Sequence, residues 1–444
     1  MVHNLTRGSV LKNIIRFSAP FLLSYFLQTM YGMADLFIAG QFYGAGVISA
    51  ISNGSQIMHM LTVCIVGLAM GTTVLIGKTV GAENRAQTEK VIGNSCSLFL
   101  AVSVFLTVLL LVLRKGIISA MKIPPEALTQ TNLYLTICFL GIPFITAYNV
   151  IASVFRGLGD SKSPMIYTAV ACIANIALDY LFMGVFKMQA EGAALATVIA
   201  QAISVFVTFG SCKKESAGLK LKRTDFMPDR QLLTDILKIG FPITAQDGFI
   251  QVSFLVITVI ANRRGVEIAA AVGIVEKIIC FLFLVPSSML SAISALTAQN
   301  IGAGEYGRTK KTLLYGICIS CGIGLVFAGI FQFVSAPVIS LFTNDEEIVR
   351  FGAQYLKSYV FDCFFAAIHF SFSGFFCAYG LSGISFLHNA ASIILLRIPG
   401  AWLASKWYPD NLMPMGCAAP AGSAFSAVIC IICFFVMQKR FAKR

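Results

Sequence analysis

The chain has 444 residues, of which 57% are hydrophobic and only 12% charged, and it carries a formal net charge of +13. Soluble domains carry roughly 25% charged residues, so this composition excludes a soluble enzyme or a soluble binding module. The basic residues stand between apolar runs, where retention of Lys and Arg on the cytoplasmic side accounts for them without nucleic acid.

A membrane-crossing helix needs about 20 mostly apolar residues, because only a helix satisfies its own backbone in hydrocarbon. Such runs occupy residues 14–39, 46–73, 92–113, 131–155, 165–186 and 191–211. Residues 211–230 form the longest polar stretch and the natural linker. A second set follows at 234–261, 266–298, 312–334, 353–378, 386–405 and 415–437. The first dozen residues lack a short apolar core ending in a small-residue cleavage site, so the first run is expected to be a retained helix. With the N-terminus inside, Lys and Arg concentrate on the cytoplasmic side. A multi-pass protein of the cell inner membrane with both termini cytoplasmic is therefore expected.

The two sets repeat. GKTVGAENRAQTEK follows the second run and AQNIGAGEYGRTKK the eighth, aligning Gly81-Ala82 with Gly302-Ala303 at a shift of 221 residues. The same shift carries Gly159 onto Gly380, and Pro20 and Pro242 agree with it to within one residue. This pattern predicts a duplicated six-helix unit. The expected fold is an all-α polytopic membrane protein with twelve transmembrane helices in two six-helix bundles. An even number of spans per copy relates the bundles by a pseudo-two-fold axis along the membrane normal. The expected lobes are residues 1–211 and 232–444, with a cytoplasmic linker at 212–231.

Polar residues inside apolar runs are costly and mark functional candidates. Asp35 lies in the outer half of the first run, and Tyr31 and Gln28 precede it by four and seven residues, which makes one polar helix face. Asn175 and Asp179, spaced i, i+4, share a face of the fifth run at similar depth. Thr197 lies in the first turns of the sixth run, which returns from the same side. Carboxylate, amide and hydroxyl oxygens suit a hard cation, and an unmetallated carboxylate there can hold a proton. The second half carries Asp247, Glu276, Lys277, Asp362 and Arg397; adjacent Glu276 and Lys277 point about 100° apart and do not pair.

Other motifs carry no chemistry. Cys318/Cys321 and Cys430/Cys433 have CxxC spacing but sit in mid-run without His or acids at ligand spacing, so they read as small apolar side chains. His59, His369 and His388 have no ligand-spaced partner. Residues 71–79, GTTVLIGKT, have five rather than four residues between glycines and end a run, which excludes ATP binding. Gly67 and Gly71 form GxxxG, a pattern that permits close helix contact.

The order and spacing of MADLFIAG, VGAEN, FRGLGDSKSP, NIALDYLF, EGAALATVIAQ and IGAGEYGRTKK resemble the MATE (multidrug and toxic compound extrusion) family over essentially the whole chain. The resemblance implies a V-shaped pair of six-helix lobes that exports amphipathic, often cationic compounds against an inward cation flow. It places Asp35, Asn175, Asp179 and Thr197 at the family's cation-coupling site in the first lobe. One branch of the family has a sodium site in the second lobe. Gln251 and Ala366, not Asp247 or Asp362, fall at the spacing of its acids. Gln28, Tyr31, Asn149 and Gln251 are the candidate polar lining of a substrate cavity.

The expected function is thus a secondary antiporter working by alternating access, with protons or sodium as the coupling ion and no cofactor. Its expected partners are small amphipathic substrates and membrane lipids, not nucleic acid, and a monomer suffices. The alternative is a flippase for a lipid-linked precursor with the same two-lobe plan. That function calls for a strongly cationic cavity, whereas the early spans offer acids. No HExxH, nucleophile elbow or paired catalytic His and acid appears, so no enzyme is expected.

Overall fold

A computed structural model describes residues 4–121, 123–215 and 221–438, which contain helices and no strand. Residues 216–220 of the linker and both extreme ends lie outside the described residues. The first half comprises α1 (Val10–Phe42), α2 (Ala45–Gly81), α3 (Arg85–Ala120), α4 (Pro125–Leu140), α5 (Ile142–Gly157), α6 (Lys162–Asp179) and α7 (Ala190–Glu215). The second comprises α8 (Arg230–Asn262), α9 (Val266–Leu282), α10 (Leu284–Gly302), α11 (Tyr306–Ser340), α12 (Glu346–Tyr359), α13 (Asp362–Ala378), α14 (Ser382–Ser392), α15 (Ile398–Trp407), α16 (Met413–Gly416) and α17 (Ala418–Val436). Among the described residues ten helical segments are long and apolar enough to cross a membrane, and twelve spans result when each of two bent pairs counts as one. Large apolar side chains such as Val112, Ile173 and Phe333 face outward, as lipid contact requires.

Both bends fall at corresponding places in the repeat. α4 and α5 meet at 48° beside Gly141, and α12 and α13 meet at 40° beside Phe361. In the first bend Pro143, in the opening turn of α5, supplies no backbone N–H, so the preceding turn cannot continue through it. The spans preceding the C-terminal helix of each half also carry a wide π-turn: Tyr180–Val185 after α6, and Ile393–Arg397 between α14 and α15.

Helices extend beyond the apolar runs because side chains cap their polar ends. Asn84 Oδ1 accepts the Gln87 amide at 3.1 Å and starts α3 seven residues before its apolar run. Asp345 Oδ1 likewise accepts the Glu347 and Ile348 amides at 2.9 and 3.2 Å, starting α12.

The chain divides into two compact units. Among the described residues one is Leu23–Gly240, and the other is Leu5–Leu22 with the chain from Phe241 onward. The divisions fall inside α1 and α8. In the first unit Ile38, Ile51, Tyr134, Phe139 and Met183 form the main core. The linker is clamped to α3 in the same unit. Asn94 Nδ2 donates to the Asp225 carbonyl at 3.1 Å, its Oδ1 accepts the Asp229 amide at 2.6 Å, and Ser97 donates to the Phe226 carbonyl at 2.7 Å. In the second unit Val10, Ile14, Phe17 and Phe21 of α1 pack with Ile293, Leu296 and Phe375. Arg308 there donates to the Gly8 carbonyl at 2.8 Å and holds the start of the chain.

The first turns of α8 join the first unit through two glycines. A Cβ at Gly71 would lie 2.2 Å from the Ile236 carbonyl oxygen, and one at Gly240 would lie 2.3 Å from that of Leu68. The Gly71 end of the GxxxG pair thus packs main chain against main chain. Gly71→Val is expected to cost about 1–3 kcal/mol or more, because backbone cannot rotate away as a side chain can. The purified variant should melt at lower temperature in detergent; an unchanged melting temperature contradicts this contact.

Candidate cation-coupling site

Four polar side chains meet in the first unit. Asp35 of α1 and Asn175 of α6 are each 2% exposed, and Asp179, the last residue of α6, is fully buried. The Thr197 hydroxyl of α7 donates to Asp35 Oδ2 at 3.5 Å. Asp179 and Asn175 lie beside the Asp35 carboxylate. The sequence-predicted set is therefore brought together from three helices.

Local sequence explains the placement. The one-turn spacing of Asn175 and Asp179 puts both on one face of α6. Immediately after Asp179 the helix widens into the π-turn Tyr180–Val185, a feature that recurs at functional sites. The Tyr43 hydroxyl, just beyond α1, lies 2.9 and 3.0 Å from the carbonyls of Met183 and Met188. This contact ties the helix that bears Asp35 to the turn that follows Asp179.

The polar groups are poorly satisfied by the protein. Asp35 Oδ1, both Asp179 oxygens and both polar atoms of the Asn175 amide are buried without a hydrogen bond of good geometry. Native interiors leave few such atoms, and each one calls for a reason. The side chains acting on Asp35 are Asp179, Asn175 and Thr197, none of them a cation. Two adjoining carboxylates in apolar surroundings cannot both stay charged cheaply, so the arrangement is built to accept positive charge.

Two further residues join the site. Gln201, one turn beyond Thr197 on α7, reaches the Tyr31 hydroxyl. Its i, i+4 spacing from Thr197 is the sequence signal that identifies it. Tyr134 of α4 is 2% exposed and stands near both acids; no sequence spacing points to it.

The candidate cavity residues divide. Gln28 and Tyr31 are half-buried on the same side of α1 as Asp35, and Gln28 reaches Tyr148. Asn149 is 3% exposed and donates to its own helix at the Ile145 carbonyl, 2.8 Å away. Gln251 belongs to the other compact unit. His369 and His388, unrelated by spacing, have ring centroids only 5.6 Å apart. Among the described residues no three His, Cys, Asp or Glu side chains converge as a metal site.

A twelve-span helical protein with a buried acid pair inside its first repeat belongs to the class of multi-pass membrane transporters. A family model, MatE, matches residues 20–181 and again residues 242–403, and the chain belongs to this family of transporters, not to an enzyme family. The second match starts 222 residues after the first (20 to 242), which reproduces the internal repeat. The chain is 28% identical to the probable multidrug resistance protein YpnP of Bacillus subtilis, over 93% of each chain. It is 25% identical to the multidrug export protein MepA of Staphylococcus aureus, over 84% of this chain and 83% of the relative. A multidrug resistance MATE family transporter of the MOP superfamily, solved in an outward-facing conformation, superposes with a TM-score of 0.92 at 20% identity, covering 99% of this chain and 98% of the other. A MOP superfamily transporter from Pyrococcus furiosus, described as having a binding pocket of reversed polarity, shares the fold with a TM-score of 0.93 at 20% identity, covering 99% of this chain and 98% of the other.

Proposed function

We propose that this chain is a secondary antiporter that exports amphipathic, cationic compounds in exchange for protons moving inward. The observation that carries this reading is the buried contact of Asp35 with Asp179, supported by Asn175 and Thr197, with no cation among the side chains acting on Asp35. Such a pair takes up one positive charge when open to the outside and releases it when open to the inside. Alternating access then couples that cycle to outward movement of substrate. Relatives named for multidrug resistance and export support a drug-like cargo. The fold does not decide the cargo, because one architecture hosts several functions. Gln28 and Tyr31 supply polar lining for the substrate in the first unit. The protein works as a monomer in the cell inner membrane, with both termini and the linker in the cytoplasm, where the positive-inside rule places them.

The test is efflux of a lipophilic cationic dye from loaded cells. Cells making the protein should retain less dye than cells making the Asp35→Asn/Asp179→Asn double variant at equal membrane abundance. Equal retention by the two removes the acid pair from transport.

A further inference from the structure

The outer surface of the second unit carries a groove between α8 and α15. It encloses about 530 Å³, with Leu255, Val259 and Ile260 on one wall and Ile398, Pro399 and Trp402 on the other. Small-molecule sites have volumes of roughly 300–1,000 Å³. Leu255 is 59% exposed, and Val259 and Trp402 are each 45% exposed, so the walls open onto hydrocarbon and are not sealed by protein.

One end of the groove lies at the level of the membrane surface. Arg263, in the turn that joins α8 to α9, is the single charged residue of the lining among the described residues. Next to it, Arg264 Nη2 donates to the Tyr408 carbonyl at 2.9 Å and to the Pro409 carbonyl, which fixes the ends of α8 and α15 at one level. Both tryptophans of the chain, Trp402 and Trp407, lie in α15 near that end; Tyr408 follows, and all three are exposed. Trp and Tyr concentrate where hydrocarbon meets headgroups. Lys406 Nζ stands 3.9 Å from the centroid of the Trp402 ring and adds a second exposed cation beside the groove.

The two neighbouring arginines differ in what they hold. Arg264 binds carbonyls and stands near Asp410. Arg263 is exposed and has no ion-pair or hydrogen-bond partner among the described residues. Glu267, the acid nearest to it in sequence, lies beside Gly265 and does not pair with it. An apolar groove that ends at an unpaired guanidinium matches an amphipath with a hydrocarbon tail and an anionic head. A guanidinium binds phosphate through paired N–H groups. A peptide in the same place would carry backbone polar groups into hydrocarbon without partners.

We propose that this groove seats an acyl chain of an anionic phospholipid, with its phosphate on Arg263 and with Lys406 adding attraction for the negative head. With the linker in the cytoplasm, as proposed above, this end of α8 faces outward and the lipid comes from the outer leaflet. The site itself does not depend on that orientation, and nanodiscs present both leaflets.

Tryptophan fluorescence provides the test. Full-length Trp407→Phe protein, in which Trp402 is the single tryptophan, would be placed in nanodiscs that contain a small fraction of phospholipid brominated on its acyl chains. The brominated lipid is either phosphatidylglycerol or phosphatidylcholine, and bromine quenches an indole that it touches. One basic side chain near a headgroup is worth about fivefold in binding an anionic lipid. Brominated phosphatidylglycerol is therefore expected to quench Trp402 with an apparent affinity about fivefold above that of phosphatidylcholine. Adding Arg263→Gln should remove most of that preference, and Arg263→Lys should keep it. Adding Val259→Phe, which fills the groove and leaves both cations, should lower quenching by phosphatidylglycerol to the phosphatidylcholine level. Monodisperse elution is the folding criterion, and Leu255→Phe replaces Val259→Phe if that variant fails it. Equal quenching by the two lipids in the Trp407→Phe protein overturns the proposal. So does a preference that survives filling of the groove, since headgroups would then gather around surface cations with no chain seated. A second copy of the chain over this face would shield Trp402 from both lipids, which equally overturns it. Failure of the antiport reading would instead appear as unchanged dye efflux in the coupling-site variants, whatever the fluorescence result.

Discussion

Asp35→Asn and Asp179→Asn are each expected to abolish dye accumulation against a gradient while membrane abundance stays at the parent level. An amide preserves the shape of the carboxyl group but cannot exchange a proton or hold a net charge. One proton exchanged for a univalent cationic dye moves no net charge, so the pH gradient supplies the drive. Each pH unit is worth about 1.4 kcal/mol, roughly a tenfold gradient of dye. Uncoupling removes the whole of it, so the variants should equilibrate dye rather than concentrate it. Asn175→Ala and Thr197→Ala each remove one neutral group beside Asp35 and should slow efflux without abolishing it. Parent-level efflux by either aspartate variant would remove that residue from the coupling step.

Protonophore treatment at constant sodium is expected to collapse efflux, whereas removal of sodium at a clamped pH gradient should leave it intact. The acid pair favours a proton because Asp35 and Asp179 adjoin each other directly, and two adjoining carboxylates relieve their repulsion most simply by sharing one. Everted vesicles allow the two gradients to be set independently. Loss of efflux on sodium withdrawal alone would make Asp35, Asn175, Asp179 and Thr197 sodium ligands instead.

Asp35, Asn175, Asp179 and Thr197 are legible in the sequence because each is a polar group in an apolar run, and helical spacing aligns two of them. Their contact was visible only as a common depth; the approach of α1 to α6 is a property of packing. Helix ends are not legible in hydropathy wherever capping extends a helix past its apolar run, as at Asn84. The bend beside Gly141 had a signal in Pro143, whereas the matching bend beside Phe361 has no proline and left none. Residues 211–230 are the most polar stretch, yet the compact units divide elsewhere. That division depends on close backbone approach at Gly71 and Gly240, which hydropathy does not register.

The halving of α1 and α8 bears on how such a chain can be divided. Severing it within residues 216–220 yields a first fragment that carries Leu5–Leu22, a piece of the second unit, and lacks residues 221–240 of its own unit. Two such fragments can restore both units only by trading those stretches, a reciprocal swap between polypeptides. Each is an obligate partner of the other. A second fragment alone would leave Ile293 and Leu296 without Ile14 and Phe17 against them, so each half of the tandem gene encodes part of the other half's core.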